Sequence, residues 1–416
     1  MELGKFSFGM GDRFGHQALA QLKAIDKARK CGIEITPVWN KSNREHTIIH
    51  TTPADTWKAV SEVIKSFGWT SPFFVDADHI NLSNVDKFID RSTFFTLDVA
   101  DYIGKEADKG KIADFVSSNI KYCDKAILLA DNITVSLTIP ELEAVSAKYL
   151  FAVMEAGKIY RHIEERKGAG NFITEVSMDE VDIPQSPVEL FFILNMLAHE
   201  GVPVQTIAPR FSGRFNKGVD YEGNVLAFDK EFELFLLVIE LAIKEFNLNE
   251  NLKLSVHSGS DKFSIYPIIK KHLKNYNKGI HIKTAGTTWL EEVIGMALAG
   301  DEAFKLAKTI YTESLSRMDE LCSPYASVIN IVKTKLPTKK EVNLWSSYKF
   351  VNTLRHIPTH PDYNPDFRQL IHVGYKIAVE HINAYYNFLE EYPDIIGQQV
   401  YENIYERHLC RLFECC

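Results

Sequence analysis

Eight strand-like runs, separated by helical segments, recur before residue 284, and most of them end in polar or charged residues. The runs occupy residues 5–8, 33–39, 73–75, 94–99, 172–176, 204–208, 252–257 and 280–283. Strands that alternate with helices form parallel sheets, so the pattern predicts an α/β fold, and eight such units predict a (β/α)8 TIM-like barrel. An open doubly wound sheet would show the same alternation. However, the chain has neither a G-x-G-x-x-G fingerprint nor a phosphate-binding loop that would favour a nucleotide-binding version.

Two long helical stretches fall outside this alternation. Helical patterns fill most of the interval after the fourth strand, which predicts an inserted helical segment at about residues 105–168. Past residue 290 the chain reads as helix to its end, interrupted by a proline-rich loop at 358–365. We therefore predict a barrel over residues 1–300 and a C-terminal helical extension over residues 301–416 that packs on the barrel.

Charge and hydropathy exclude several classes of partner. The net charge of the 416 residues is −8 and basic residues form no block, so nucleic acid is not expected as a partner. No apolar run reaches about eighteen residues, and GMGDR at 9–13 interrupts the N-terminus, so neither a membrane span nor a signal peptide is expected. The six cysteines are scattered without a C-x-x-C pair, which is typical of the reducing cytoplasm. A small-molecule partner is expected, and the sequence allows a homo-oligomer.

Three histidines lie on or just after predicted strands, where barrels carry their reactive groups. His257 ends the alternating run 252–257 and opens a turn of small residues, SGSDK, at 258–262. His79 follows the third strand and His281 lies within the eighth. Imidazole is a common ligand of divalent metals, so convergence of these histidines predicts a metal site with one position open for substrate.

Each of these histidines is a weak signal when it is taken alone. A single histidine at a strand end is more often structural, and only the shared position favours a metal site. His281 is the weakest of the three because its side chain could point to either side of the barrel wall. The alternative ligands are His360, in a loop between two prolines, and His46.

Two carboxyl groups accompany the histidines. Asp78 directly precedes His79, and Glu175 lies in the otherwise apolar fifth strand. Carboxyl groups on opposite sides of a bound sugar could act as proton acceptor and proton donor, although an aspartate at a strand end often only caps a turn. Glu175 is the stronger signal, since burial of a carboxylate costs several kcal/mol unless a cation pairs with it. Asp76 could replace Asp78, and the further carboxyl candidates are Asp98, Asp179 and Glu180.

Several cationic side chains lie at or just after predicted strands. The candidates for substrate binding are Arg13, Arg210, Lys262 and Lys283. Most single lysines and arginines are solvated surface groups. Nevertheless, the segment 210–217 is dense in cations, and together with the turn at 258–262 it would make a cradle for a carboxylate or phosphate.

Five motifs resemble those of the tagaturonate epimerase family, hexuronate-pathway enzymes that interconvert D-tagaturonate and D-fructuronate. They are FGMGDRFG at 8–15, FVDADH at 74–79, TEVS at 174–177, APRF at 208–211 and HSGSDK at 257–262. The resemblance spans nearly the whole chain and implies a divalent metal, with Mn, Zn, Ni and Co all compatible, and an acid/base pair. By position it implies Asp78 as proton acceptor and Glu175 as proton donor. It also implies that His79, His257 and His281 are the metal ligands.

The implied reaction constrains the chemistry. The two ketouronates differ at the carbon beta to the ketone, whose hydrogen the carbonyl does not acidify, so simple enolisation cannot invert it. Cleavage of the adjacent C–C bond by a retro-aldol step, rotation of the aldehyde and re-addition would invert it, whereas transient oxidation would need a nucleotide site that the motifs do not indicate. A metal-dependent sugar-acid aldolase or ketose isomerase would use nearly the same site. A non-catalytic carbohydrate-binding barrel is the third alternative.

Overall fold

Eight parallel strands close into a barrel in the computed structural model, which describes residues 1–130, 132–284 and 286–413. The described residues contain ten strands, of which β5 and β6 lie outside the barrel. In chain order they are β1 (Phe6–Gly11), β2 (Ile35–Ser42), β3 (Phe74–Ile80), β4 (Phe94–Asp98), β5 (Ile127–Ala130), β6 (Ile133–Val135), β7 (Ile173–Ser177), β8 (Thr206–Ala208), β9 (Lys253–Val256) and β10 (Ile280–Lys283). The order around the barrel is β1, β2, β3, β4, β7, β8, β9 and β10, and β10 pairs with β1. The predicted (β/α)8 barrel is confirmed.

Helices follow most of the barrel strands. They are α1 (Ala18–Lys30), α2 (Asn43–Ile49), α3 (Pro53–Phe67), α4 (Lys109–Asn119), α5 (Ile139–Lys167), α6 (Pro187–His199), α7 (Val225–Phe246), α8 (Tyr266–Asn275) and α9 (Thr287–Ala299). Local signals fix their starts. At α6, for example, the N–H of Ser186 donates to the Glu189 carboxylate, the N–H of Glu189 donates to the Ser186 hydroxyl, and Pro187 occupies the first turn.

The insertion after β4 contains α4, α5 and an antiparallel hairpin of β5 and β6. The helices agree with the sequence prediction, but the hairpin differs from it. Its strands contain only four and three residues, so neither is long enough to show a clear alternation of apolar and polar residues.

The interior of the barrel is layered along the strand direction. Its lower layer is an apolar cluster of Leu3, Val38, Phe74, Phe94 and Ile173. Residues two apart on a strand share a face and lie roughly 7 Å apart. One such step along β3, β4 and β7 replaces the apolar side chains by Asp76, Thr96 and Glu175, all buried. The sequence therefore builds an apolar floor directly beneath a polar layer.

The C-terminal extension is helical, as predicted. Its elements are α10 (Asp301–Ser316), α11 (Met318–Cys322), α12 (Lys339–Leu344), α13 (Ser347–Leu354), α14 (Pro365–Val373), α15 (Tyr375–Glu380), α16 (Ile382–Glu391), α17 (Pro393–Glu402), a π-helical segment (Asn403–Leu409) and α18 (Cys410–Phe413). Side chains of α9, such as Trp289, belong to the hydrophobic core of this extension, whereas Leu409 and Leu412 pack into the core of the barrel. The boundary at residue 300 stays a prediction.

Among the described residues, no helix combines the length and apolar character needed to cross a membrane.

A buried polar network joins the extension to the loop after β9. The carboxylate of Asp261, at a left-handed φ of 62°, lies 3.0 Å from Nη2 of Arg368 on α14. The backbone N–H of Asp261 donates to Nε2 of His408 at 2.9 Å, and Nδ1 of His408 donates to the carbonyl of Asn403 at 2.6 Å. Both nitrogens of the imidazole are therefore satisfied only when the ring is neutral, and burial lowers the pKa of His408 to about 4.

We expect His408 to make the stability of the protein depend on pH. Its pKa in the folded state, about 4, lies below the unfolded value of 6.5. The unfolded chain therefore binds the proton first as the pH falls, and stability is lost below the unfolded pKa. Between pH 7 and pH 5 the loss from this residue should be about 2 kcal/mol in the free energy of unfolding.

Urea unfolding of the wild type and of His408→Gln at both pH values tests this expectation. The wild type should lose about 2 kcal/mol more than the variant over this pH range. Equal losses in the two proteins would show that His408 does not titrate as the network requires.

Candidate active site

Lys283 is the central cation of the polar layer. Its Nζ atom lies 2.8 Å from Oδ2 of Asp76, 2.9 Å from Oδ1 of Asp78 and 2.9 Å from Oε1 of Glu175. It also donates to the hydroxyl of Thr96 at 2.6 Å. Burial lowers the pKa of Lys283, but the three carboxylates outweigh burial and hold that pKa well above its ordinary value. Strands β3, β4, β7 and β10 therefore converge on one ammonium group.

The three carboxyl groups around Lys283 differ in their ionisation. Burial raises the pKa of Asp76 to about 7, with the neighbouring carboxylates adding to the effect and Lys283 opposing it. Burial also opposes the ionisation of Asp78 and Glu175, but Lys283 and the neighbouring histidines together outweigh burial. They lower the pKa of Asp78, and they hold the pKa of Glu175 well below its usual range. Asp78 and Glu175 are therefore the ionised members of the layer at neutral pH.

His257, directly after β9, lies between two carboxylates. Its Nε2 atom lies 2.7 Å from Oε1 of Glu175, and its Nδ1 atom lies 3.0 Å from Oδ1 of Asp179. Burial lowers the pKa of His257, but Asp179 and Glu175 outweigh burial and raise it to about 9. This environment stabilises positive charge at the imidazole, whether that charge is a proton or a metal ion.

His79 reaches the same region because β3 is irregular there. The pairing of β3 with β4 shifts between Ala77 and Ile80, and His79 lies in the left-handed region with a φ of 51°. A β-bulge of this kind redirects a side chain, and backbone strain of this kind is common at functional sites. The ring centre of His79 lies 5.1 Å from that of His257, and its Nδ1 atom lies 3.5 Å from Oδ2 of Asp98.

Two groups of side chains among the described residues could hold a metal ion. The first is His79, Asp179 and His257, and the second is His79, Asp98 and Glu180; within each group the ligand atoms lie within 4.8 Å of one another. Two imidazoles and one carboxylate are a common set for divalent transition metals. The carboxylates around these histidines raise the pKa of both, so the local field favours a cation there. The donor set of the first group therefore fits a divalent metal.

The structure does not bring His281 into either group. His281 lies two residues before Lys283 on β10, and its side chain is fully buried one layer deeper in the barrel. Its Nδ1 atom hydrogen-bonds the hydroxyl of Ser7 at 2.9 Å, and burial lowers its pKa to about 3. The three-histidine set predicted from the sequence thus differs from the set that the structure groups, because one step of two residues moves a side chain roughly 7 Å along the barrel.

The alternative histidine ligands also lie elsewhere. Nδ1 of His360 accepts the backbone N–H of Asp362, and Nδ1 of His46 hydrogen-bonds the hydroxyl of Thr51. Neither histidine lines the cavity above the polar layer.

A cavity of about 580 Å³ opens above the polar layer, a volume within the usual range of small-molecule sites. The charged and histidine side chains that line it are Arg13, Arg44, Glu45, Asp78, His79, Asp98, Asp101, Asp179, Glu180, Lys217, His257 and Lys283. Asp78 lines the cavity, whereas Asp76 and Glu175 lie beneath it. Of the two predicted acid/base residues, only Asp78 faces the space where a substrate would bind.

The side chains predicted to bind substrate lie in different places. Arg13 and Lys283 both line the cavity, although Nε of Arg13 already pairs with Oε1 of Glu45 at 2.9 Å. Arg210 lines a smaller neighbouring cavity that shares Lys217 and His257 with the first.

Lys262 does not reach either cavity. Its ammonium is fully buried and donates to the carbonyls of Asn216, Val219 and Ser260 at 2.7 to 3.0 Å. The turn at 258–262 thus folds this side chain back into the protein instead of presenting it to an anion, which corrects the sequence expectation of a cradle there.

Comparisons with known proteins show the family of this chain. The model of a protein family described as UxaE, tagaturonate epimerase, matches residues 1–414. A tagaturonate/fructuronate epimerase from Thermotoga maritima is 26% identical over 418 aligned residues, which cover 97% of this chain and 80% of the relative.

Solved structures support the same fold. The native crystal structure of the fructuronate-tagaturonate epimerase from Cohnella laeviribosi superposes with a TM-score of 0.80 at 22% identity, covering 99% of this chain and 82% of that one. Its complex with one glycerol gives a TM-score of 0.82, also at 22% identity, with coverage of 99% and 82%. A probable tagatose 6-phosphate kinase from Sinorhizobium meliloti gives a TM-score of 0.51 at 10% identity, with coverage of 99% and 100%.

We expect Lys283→Met to lower the free energy of unfolding by about 3–5 kcal/mol, because it leaves buried carboxylates without their cation. Asp78→Asn in the same chain should recover part of that loss, since it removes one of the two ionised carboxylates that Lys283 neutralises. Urea unfolding of both single variants and the double variant gives the coupling energy, and Lys23→Met on the surface of α1 is the matched control. Strictly additive losses would contradict the proposed charge balance.

Proposed function

We propose that this chain, which belongs to the tagaturonate epimerase family, interconverts D-tagaturonate and D-fructuronate with the help of a bound divalent metal ion. The observation that supports this most directly is the cavity in which Asp78 and Lys283 lie beside His79, His257 and Asp179. A base, a buried ammonium group and a set of metal ligands thus border one space of the right size for a six-carbon acid.

We propose His79, His257 and Asp179 as the residues that hold the metal. Both histidines bind metal in their neutral form, so binding would release the protons that the surrounding carboxylates favour. A divalent ion bound there would stabilise negative charge on substrate oxygens, a contribution of several kcal/mol. Mn, Zn, Ni and Co are all compatible with two imidazoles and a carboxylate.

The proposed reaction is a retro-aldol cleavage followed by re-addition from the other face. Asp78 takes the proton of the hydroxyl on the carbon beta to the ketone, and the bond from that carbon to the alpha carbon breaks. The products are an aldehyde and an enediolate, and the walls of the cavity keep both fragments together. After the aldehyde rotates, the same bond re-forms on the opposite face. The new alkoxide takes up one proton from Lys283, which recovers a proton from Asp78 across their 2.9 Å contact, so that the residues end the cycle as they began it.

Glu175 as the proton donor stays a prediction. Its carboxylate is ionised and lies beneath the cavity, where it accepts from Thr206 at 2.7 Å and contacts His257. Lys283 contacts both Glu175 and Asp78 and lines the cavity. The route from Glu175 to a substrate therefore runs through Lys283, whereas Asp78 would contact the substrate directly.

The cytoplasm remains our proposed location for this reaction, on the basis of the cysteine usage, with a small-molecule hexuronate as substrate.

We expect epimerisation of D-tagaturonate to require the metal. Removal of the ion with a chelator should abolish the appearance of D-fructuronate, followed by NMR, and one of the four divalent metals should restore it. The same NMR spectra would reveal cleavage products or aldose products, which would indicate an aldolase or an isomerase instead. Full activity in the chelated, metal-free protein would contradict the metal requirement.

Metal titration by calorimetry tests the ligand set independently of activity. His79→Ala and His257→Ala should each abolish tight binding of the ion, whereas His281→Gln should retain it because His281 lies one layer deeper. Loss of tight binding in His281→Gln would return the assignment to the three-histidine set. Tight binding in His257→Ala would contradict both sets.

Asp78→Asn and Glu175→Gln should each reduce kcat by about 10²–10⁴-fold, the usual contribution of an acid or base, while metal stays bound. Asp86→Asn, which removes an exposed carboxylate that pairs with His162, is the matched control. Retention of activity in Asp78→Asn or in Glu175→Gln would remove that residue from the mechanism.

A further inference from the structure

The cavity is lined by more negative than positive side chains. Six carboxylates line it, namely Glu45, Asp78, Asp98, Asp101, Asp179 and Glu180, against four lysines and arginines, namely Arg13, Arg44, Lys217 and Lys283. Two of these cations are already neutralised: Arg13 pairs with Glu45, and Lys283 pairs with three carboxylates. An acidic substrate that enters this cavity therefore needs a cation whose charge is still available.

Arg44 and Lys217 meet that requirement. Both line the cavity, and neither forms an ion pair with any of the described residues. Arg44 is exposed on the first turn of α2, and Lys217 is half-buried in the loop between β8 and α7. Lys217 also lines the smaller neighbouring cavity together with Arg210. The two side chains come from opposite sides of the barrel order, since α2 follows β2 and the loop follows β8.

The C-terminal extension holds both cations in place. The guanidinium carbon of Arg44 lies 5.7 Å from the ring centre of Tyr325, and the Tyr325 hydroxyl is 2.9 Å from that of Tyr375. The backbone N–H of Lys217 donates to the carbonyl of Val328 at 2.8 Å. Tyr325 thus lines this cavity, Val328 lines the smaller neighbouring one, and the two residues contact the available cations from the side of the extension.

We propose that Arg44 and Lys217 form a carboxylate-binding subsite that selects sugar acids over neutral ketoses. The proposal rests on the proposed function, because it concerns the acid group of that substrate. The carboxylate of the ketouronate binds these two cations and leaves the ketone and the reacting hydroxyl beside Lys283 and Asp78. The extension thereby contributes to substrate choice.

The variants Arg44→Gln, Lys217→Gln and the double variant test the subsite. Each single variant should raise KM for D-tagaturonate about 10- to 100-fold, as expected for loss of one hydrogen bond to a charged group. The change in kcat should be much smaller, because neither side chain touches the reacting atoms. Lys23→Gln, on the exposed face of α1, controls for the loss of a surface charge.

Calorimetric binding of D-tagatose, which has a hydroxymethyl group in place of the carboxylate, provides the decisive comparison. The variants should bind D-tagatose as the wild type does while they lose affinity for D-tagaturonate. Equal losses for both ligands, or no loss for either, would overturn the subsite. A wild-type protein that does not epimerise D-tagaturonate would instead refute the proposed function, so the two failures are distinguishable.

Discussion

The ion cluster of Lys283 is the interaction on which the rest of the site depends. Three carboxyl groups lie within hydrogen-bond distance of one buried ammonium, and each would be costly to bury without it. The cluster also fixes the arrangement of the strands, since its members come from β3, β7 and β10. With one ammonium for three carboxyl groups, and with Asp179 and Asp98 beside the histidines, the region has negative charge in excess. Such a field attracts a metal cation and repels an acidic substrate. The site therefore has to satisfy two opposite electrostatic requirements.

Depth along the barrel decides what each side chain can do. Asp76 and Asp78 share a face of β3, yet only Asp78 lines the cavity, and the more deeply buried Asp76 has a pKa raised to about 7. His281 and Lys283 share a face of β10 in the same way, and only Lys283 reaches the cavity. In both pairs, a shift of two residues along the strand separates a side chain that lines the cavity from a side chain that lies beneath it.

The sequence predicted the order of elements better than it predicted depth. Strand–helix alternation is a local pattern, so all eight barrel strands were found, and the burial cost of a carboxylate in an apolar strand identified Glu175. The ends of β1, β2 and β3 extend further than predicted. Two glycines weaken the apolar signal at the end of β1, and polar side chains that bond inside the barrel replace it at the ends of β2 and β3. The bulge at His79 and the depth of His281 depend on the register between strands that are far apart in the chain, and no local pattern encodes that register. The inward fold of Lys262 depends on carbonyl groups of a distant loop, which no local pattern encodes either.

The C-terminal extension contributes contacts to the site. Its Arg368 and His408 hold Asp261, four residues after His257, and thereby anchor the loop that begins with this histidine. On another side of the cavity, Tyr325 and Val328 support Arg44 and Lys217. A closed barrel supplies converging strand ends, but its own cations are neutralised by the carboxylates of the polar layer. The proposed recognition of an acidic sugar therefore takes its positive charge from α2 and from the loop after β8, both of which the extension contacts.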